Sequence, residues 1–283
     1  MKKPIEEMLY RYPQLSLCPQ EGLSQTEKYR DIVRRGILPK FPENPFLMSD
    51  EDELIQKEIP GGSVEVLFLK NRIDFERTVR ILAYKGENRE IPISMGAVTV
   101  SGINNWRKIY SYRDEYLKSH GSDWDSEFVR LRRNKKRYQD TLIILSDGNY
   151  SGLSPEAAEK EAKIWLNLSR EIRMYHEMSH VISRRIFPEN RQKLRDELVA
   201  DCIGLVAAMG DYDVKLARKF LGIEKEYYRN GGRLQNYMNE NEDIHEAAEK
   251  AGCIIEELYG CCRHQKTTPF KLLIYIEENK IGF

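Results

Sequence analysis

The chain has 283 residues, 41% hydrophobic and 32% charged, a length and balance that suit a globular protein with a real core. Its 45 Lys and Arg offset its 45 Asp and Glu, so a formal net charge of zero gives no global attraction to nucleic acid or acidic membranes. The longest apolar run, at 203–209, is too short to span a bilayer.

The opening MKKPIEEMLYRYPQL carries two early lysines. Glu6, Glu7 and Arg11 then interrupt the place where a signal peptide needs its apolar core, so no secretory signal is expected. Five cysteines (18, 202, 253, 261 and 262) are an odd number without framework spacing. They read as reduced thiols of a cytoplasmic protein.

Residues 1–60 hold many of the prolines (Pro39, Pro42, Pro45) and the acidic run Ser49-Asp50-Glu51-Asp52-Glu53, which predict an irregular, partly helical arm. Residues 61–153 read as a mixed sheet. SVEVLFL at 63–69 alternates and is β-branched, FERTVRILAY at 75–84 and IPISMGAVTV at 91–100 follow, and TLIILS at 141–146 closes at Asp147-Gly148-Asn149. Between them, 104–138 is charged and helical. From Ser154-Pro155-Glu156, a cap followed by proline, the period becomes helical and runs to Phe187, where Pro188 stops it. A second helix is expected from about Glu189 to Met209, ending at Gly210. Residues 154–283 are then the helical part, and the fold class is α+β.

The first of these helices contains His176-Glu177-Met178-Ser179-His180, and the chain has only five histidines. Positions i and i+4 share one helix face, so His176 and His180 can direct two imidazoles at one ion. Glu177 is turned away by about 100° and can reach a water on that ion. A catalytic zinc site takes three protein ligands and keeps one position open. The metzincin pattern, which takes its third ligand six residues after the second His, would need Gly and His where Ser183 and Ile186 stand.

Glu197 on the following helix completes the set. The histidine pair lies roughly 13 Å before the break at Phe187-Pro188, and Glu197 roughly 12 Å after it, at 1.5 Å per helical residue. Two helices folded back on each other would therefore bring them level. Asp201, one turn further on the same face, is placed to accept the second N–H of a ligand histidine. Asp196 and Cys202 point elsewhere.

HExxH followed by Glu-x-x-x-Asp (Glu197 to Asp201) resembles the gluzincin metallopeptidases of the thermolysin-like clan, over about residues 165–210. The resemblance implies a zincin-like fold, Zn2+ on His176, His180 and Glu197, and hydrolysis of a peptide or protein substrate. In it Glu177 is general base to the zinc-bound water, and zinc polarises the scissile carbonyl. It also implies a downstream Tyr or His near the carbonyl oxygen. The candidates are Tyr212, Tyr227, Tyr228, Tyr237 and His245, with Tyr150 upstream. Tyr237 is preferred and His245 second, with Arg233 supporting Asp201 or the substrate. An edge strand for the substrate is expected at 145–148, or else at 94–100.

Other features have plainer readings. Six basic residues in the eight of 130–137 form a solvated helix face, and no nucleic-acid or membrane partner is expected. Cys261-Cys262 lacks a partner pair at zinc-site spacing and reads as structural. A rival to the enzyme is a zincin-like regulator or interaction module that binds zinc without hydrolysing peptides; the intact Glu177 favours the enzyme.

Overall fold

The computed structural model describes residues 3–38, 44–119, 121–224, 227–229, 232–238 and 241–283. Pro39 and Pro42 of the expected arm, and Gly231, lie outside these. The chain divides into two compact units, one of 1–56, 65–91 and 98–146, the other of 57–64, 92–97 and 147–283. The architecture is α+β, with a small mixed sheet and a predominance of helix.

Most of a four-stranded sheet lies in the first unit; its order is β1-β2-β4-β3 (β1 Glu53–Ile59, β2 Gly62–Leu69, β3 Ala97–Asn104, β4 Gln139–Ser146). β2 and β4 run parallel, with Glu65 opposite Leu142 and Leu69 opposite Ser146. Both are buried from Val66 and Leu142 onward, which explains their near-continuous apolar sequence. Helices α1 (Pro4–Arg11), α2 (Glu27–Arg30), α3 (Arg72–Leu82), α4 (Trp106–Ser119) and α5 (Trp124–Arg132) complete the unit.

The N-terminal segment is an integral part of this unit. Ile5, Met8, Tyr12 and Leu15 are fully buried, and the Tyr12 hydroxyl donates to Asp140 of β4 at 2.6 Å. Arg11 forks onto both oxygens of Glu65 at 2.7 Å.

Three expectations for the sheet need correction. The segment 75–84 is not a strand: up to Leu82 it belongs to the helix α3. Its buried residues Asp74, Phe75, Thr78, Val79 and Ile81 follow a helical period, and a crossover is what parallel neighbours require. The strand expected at 91–100 begins only at Ala97. Ahead of it Gly96 stands where a Cβ would lie 2.4 Å from the Arg173 guanidinium, a close approach only glycine allows. The strand β1 falls in the segment read as an irregular arm. Its charged residues Glu53, Lys57 and Glu58, all exposed or half-buried, suit a sheet edge and mask the strand pattern.

The second unit is built on two long helices. The turn begun at Ser154 lasts one turn only: Ser154 Oγ accepts from Ala157 N–H, but Glu159 takes φ +56° and breaks it. The helix α6 instead runs Ala162–Ile186. Trp165, Ser169, Ile172, His176 and Ser179 form its buried stripe at helical spacing. α7 (Lys193–Met209) is buried on every face from Leu198 to Leu205 and ends at Gly210 in the left-handed conformation, φ +79°. α8 (Val214–Leu221), the two-residue strands β5 (Ile223–Glu224) and β6 (Tyr227–Tyr228), α9 (Ile244–His264) and α10 (Pro269–Glu278) follow. α6, α9 and α10 all pack on α7.

The α6–α7 pair is antiparallel. Ile172 lies against Gly204, His176 against Asp201 and His180 against Glu197, so residues later in α6 meet residues earlier in α7. Gly204 sets the separation: a Cβ there would stand 2.8 Å from the Ile172 carbonyl oxygen. Alanine in place of Gly204 gains up to about 1 kcal/mol of helix propensity. Forcing the helices apart costs about 1–3 kcal/mol, and that clash with backbone wins. Gly204→Ala is therefore expected to lower the thermal midpoint by about 2–4 °C per kcal/mol lost, read by calorimetry. A raised midpoint would show that the helices do not depend on this contact.

Candidate metal centre

Helix period puts His176 and His180 one turn apart on α6, and the antiparallel register lays Glu197 of α7 across from them. The ligand-capable atoms of the three lie within 4.8 Å of one another, the one such group among the described residues. The two Nε2 atoms are 3.1 Å apart. Glu197 Oε2 lies 3.5 Å from His176 Nε2, and Oε1 lies 3.4 Å from His180 Nε2. A tetrahedral ion with bonds of about 2.0–2.1 Å separates its ligands by about 3.3 Å. The two imidazole nitrogens are spaced like two such ligands, and each Glu197 oxygen lies near that distance from one of them.

The His176 tautomer follows from its other nitrogen. Asp201 Oδ1 and the Tyr150 hydroxyl both lie 2.9 Å from Nδ1. Tyr150 has one proton, and it donates this to Asp201 Oδ1 at 2.5 Å. Nδ1 therefore carries a proton for Asp201, and Nε2, which faces His180 and Glu197, is the nitrogen a metal ion could take in place of a proton. Asp201 is 1% exposed, and burying its charge is offset by Arg233, whose Nη2 donates to Oδ1 at 3.0 Å and Oδ2 at 2.8 Å.

The charge of this group favours positive charge at its centre. Burial opposes charge on His176, but its hydrogen bonds with Asp201 and Glu197 prevail and push its pKa up to about 10. Burial likewise opposes ionisation of Glu197, yet hydrogen bonds from His176 and His180 hold its carboxyl far below the usual range. Protons thus occupy the place between the three side chains that a metal ion would take, and metal binding would release them.

Tyr150 owes its position to a local frame. Its backbone N–H donates to Ser169 Oγ at 2.9 Å, and its ring meets Phe220 edge-on at 4.8 Å. Arg173, buried one turn before His176, donates to the Gly148 and Asn149 carbonyls at 2.6 and 2.8 Å, pinning the segment that leads into Tyr150. Tyr150 therefore orients His176 from behind rather than facing a substrate carbonyl.

The remaining candidates separate clearly. Tyr237 is near the centre: Glu197 and Asp201 act on its hydroxyl electrostatically, and Arg233 lies 5.8 Å over its ring. Burial raises its pKa, Arg233 opposing and Glu197 and Asp201 assisting, so the phenol keeps its proton. Glu177 is half-buried beside the group and lies in the field of the Arg184 guanidinium. His245 is not brought to the cluster. It is exposed on the first turn of α9 and lines a cleft with Arg218, Tyr228, Glu249 and Glu256. Tyr212 is buried, with charge effects from Cys202 and Asp201. The Tyr227 side chain lies outside the described residues. The 145–148 segment cannot offer a free edge along β4, which lies inside the sheet; β3, which includes 97–100, is an edge strand.

Two residues of this centre were not read as parts of it from sequence: Arg173 and, in its orienting role, Tyr150. Arg173 had a signal, since it precedes His176 by three on the same helical face. Tyr150 had none, because its role depends on where a loop is held. Tyr150→Phe removes one donor from Asp201 while Arg233 and His176 remain. It is expected to weaken zinc binding by about tenfold at a stability cost of about 1 kcal/mol, read by chelator competition and thermal unfolding. Unchanged zinc affinity would show that Tyr150 does not orient the ligand.

No helix among the described residues is long and apolar enough to cross a membrane. No curated protein and no solved structure matches the chain. Residues 2–260 match a family described as "Family of unknown function (DUF7005)", a stretch covering most of the 283 residues. By this match the chain belongs to the DUF7005 family.

Proposed function

We propose that the protein is a zinc-dependent metallopeptidase of zincin-like type. The observation that supports it is the convergence of two imidazoles and a carboxylate: His176 Nε2 and His180 Nε2 are 3.1 Å apart, Glu197 Oε2 lies 3.5 Å from the first and Oε1 3.4 Å from the second, and a fourth residue, Asp201, fixes the His176 tautomer. Two imidazoles and one carboxylate are a donor set of catalytic zinc sites, and three protein ligands leave a position open. A zinc ion there supplies Lewis acidity and lowers the pKa of a water toward about 7.

The chain's own groups then divide the work. Glu177 follows His176 directly and is turned about 100° from it, so it stands beside the ligand set rather than in it. Its carboxylate takes one proton from the attacking water and returns it to the leaving amine as the C–N bond breaks. Tyr237 retains its proton and offers an O–H to the carbonyl oxygen as negative charge develops there. Arg233 holds Asp201 ionised, and Asp201 holds His176 in the tautomer that leaves Nε2 free to bind. A zinc-binding regulator would use the same three ligands, but it gives Glu177 no role.

Two substitutions separate the parts. Glu177→Gln is expected to keep zinc and to lower peptide hydrolysis by about 100- to 10,000-fold, measured on a peptide library by mass spectrometry. Glu197→Ala removes a ligand and is expected to weaken zinc by more than the roughly 10–100-fold typical of outer partners. A chain that holds zinc yet cleaves no peptide would favour the regulator. Full zinc affinity in Glu197→Ala would place the third ligand elsewhere.

A further inference from the structure

A second buried carboxylate, away from the ligands, ties together the two helices that supply them. Glu277 of α10 and Arg195 of α7 have side chains 1% and 0% exposed, and they pair at 2.9 Å through Arg195 Nη1 and Glu277 Oε2. Glu277 Oε1 accepts from the Ser183 hydroxyl of α6 at 2.9 Å. Asn190, in the turn between α6 and α7, donates its Nδ2 to the Glu277 carbonyl at 3.0 Å. Arg195 also donates Nε to the Ile281 carbonyl at 2.8 Å, and its guanidinium lies 4.2 Å over the Phe283 ring.

The placement matters more than the pairing. Ser183 follows His180 by three residues and Arg195 precedes Glu197 by two, so Glu277 grips both helices about one turn from the ligands. Apolar packing between two helices tolerates small axial slips, whereas directional hydrogen bonds to one carboxylate do not. A slip of one residue moves a ligand by about 1.5 Å, enough to undo ligand separations set within a few tenths of an ångström. A buried ion pair is a poor source of stability, because well-packed apolar residues often serve as well; its best-attested use is to fix register.

We propose that Glu277 is a positioning residue for the metal centre: through Ser183 and Arg195 it sets the α6–α7 register that makes His176, His180 and Glu197 converge. The proposal rests on the metal-centre reading. It also goes beyond the family match, since α10 lies past residues 2–260.

The test measures the zinc dissociation constant by chelator competition, alongside the thermal midpoint of the metal-free full chain. The double variant Arg195→Met/Glu277→Leu replaces the pair with apolar side chains. It is expected to fold with a midpoint close to that of the wild type, while its zinc dissociation constant rises about 10–100-fold. Ser183→Ala keeps the ion pair and removes only the grip on α6. It is expected to weaken zinc several-fold with little change in midpoint. Should the double variant fail to fold, Ser183→Ala decides alone. Wild-type zinc affinity in the folded variants overturns the proposal. A wild-type chain that takes up no zinc is a different result, which contradicts the metal centre itself and the positioning role with it.

Discussion

Asp201 is the group on which the geometry of the site depends. It is a carboxylate almost wholly removed from water, with Tyr150, His176 and Arg233 converging on it. An isolated charge in that place would be prohibitively costly, so the three partners are required as a set. They come from a loop, from α6 and from the segment 233–237. Satisfying one buried charge therefore brings distant parts of the chain together, and in doing so leaves one His176 nitrogen aimed at His180 and Glu197.

The helix pair makes this arrangement possible. Both helices carry an ionisable residue in a buried stripe: His176 between Ile172 and Ser179 on α6, and Asp201 between Leu198 and Leu205 on α7. Gly204 allows close approach at one level, the Asp201 group lies at the next, and Glu277 grips the pair beyond the ligands. Apolar packing supplies the adhesion and buried polar contacts supply the register.

What could be read in advance follows the same division. The pairing of His176 with His180 is a matter of helix period, and the level of Glu197 follows from counting residues to and from Pro188. Both work because α6 and α7 are unbroken through those positions. The contact of Arg233 with Asp201 is one of the two options expected for it, the other being the substrate. Local signals misled where tertiary structure overrode them. Ser154-Pro155 starts a turn that Glu159 ends, and 75–82 is helix because parallel strands need a crossover. Tyr150, Arg173 and Glu277 act through the placement of loops and of a helix far along the chain, which no short window of sequence contains.

The most direct test of the account is zinc K-edge X-ray absorption on protein with its metal content determined by elemental mass spectrometry. The account predicts about one zinc per chain with a shell of nitrogen and oxygen alone at about 2.0–2.1 Å, two of the scatterers carrying the outer-shell signature of imidazole. Sulfur at about 2.3 Å would instead implicate thiols such as Cys202 and Cys262, whose Sγ atoms lie 3.4 Å apart, and would contradict the assignment of the centre to His176, His180 and Glu197. A chain that takes up no zinc would contradict it outright.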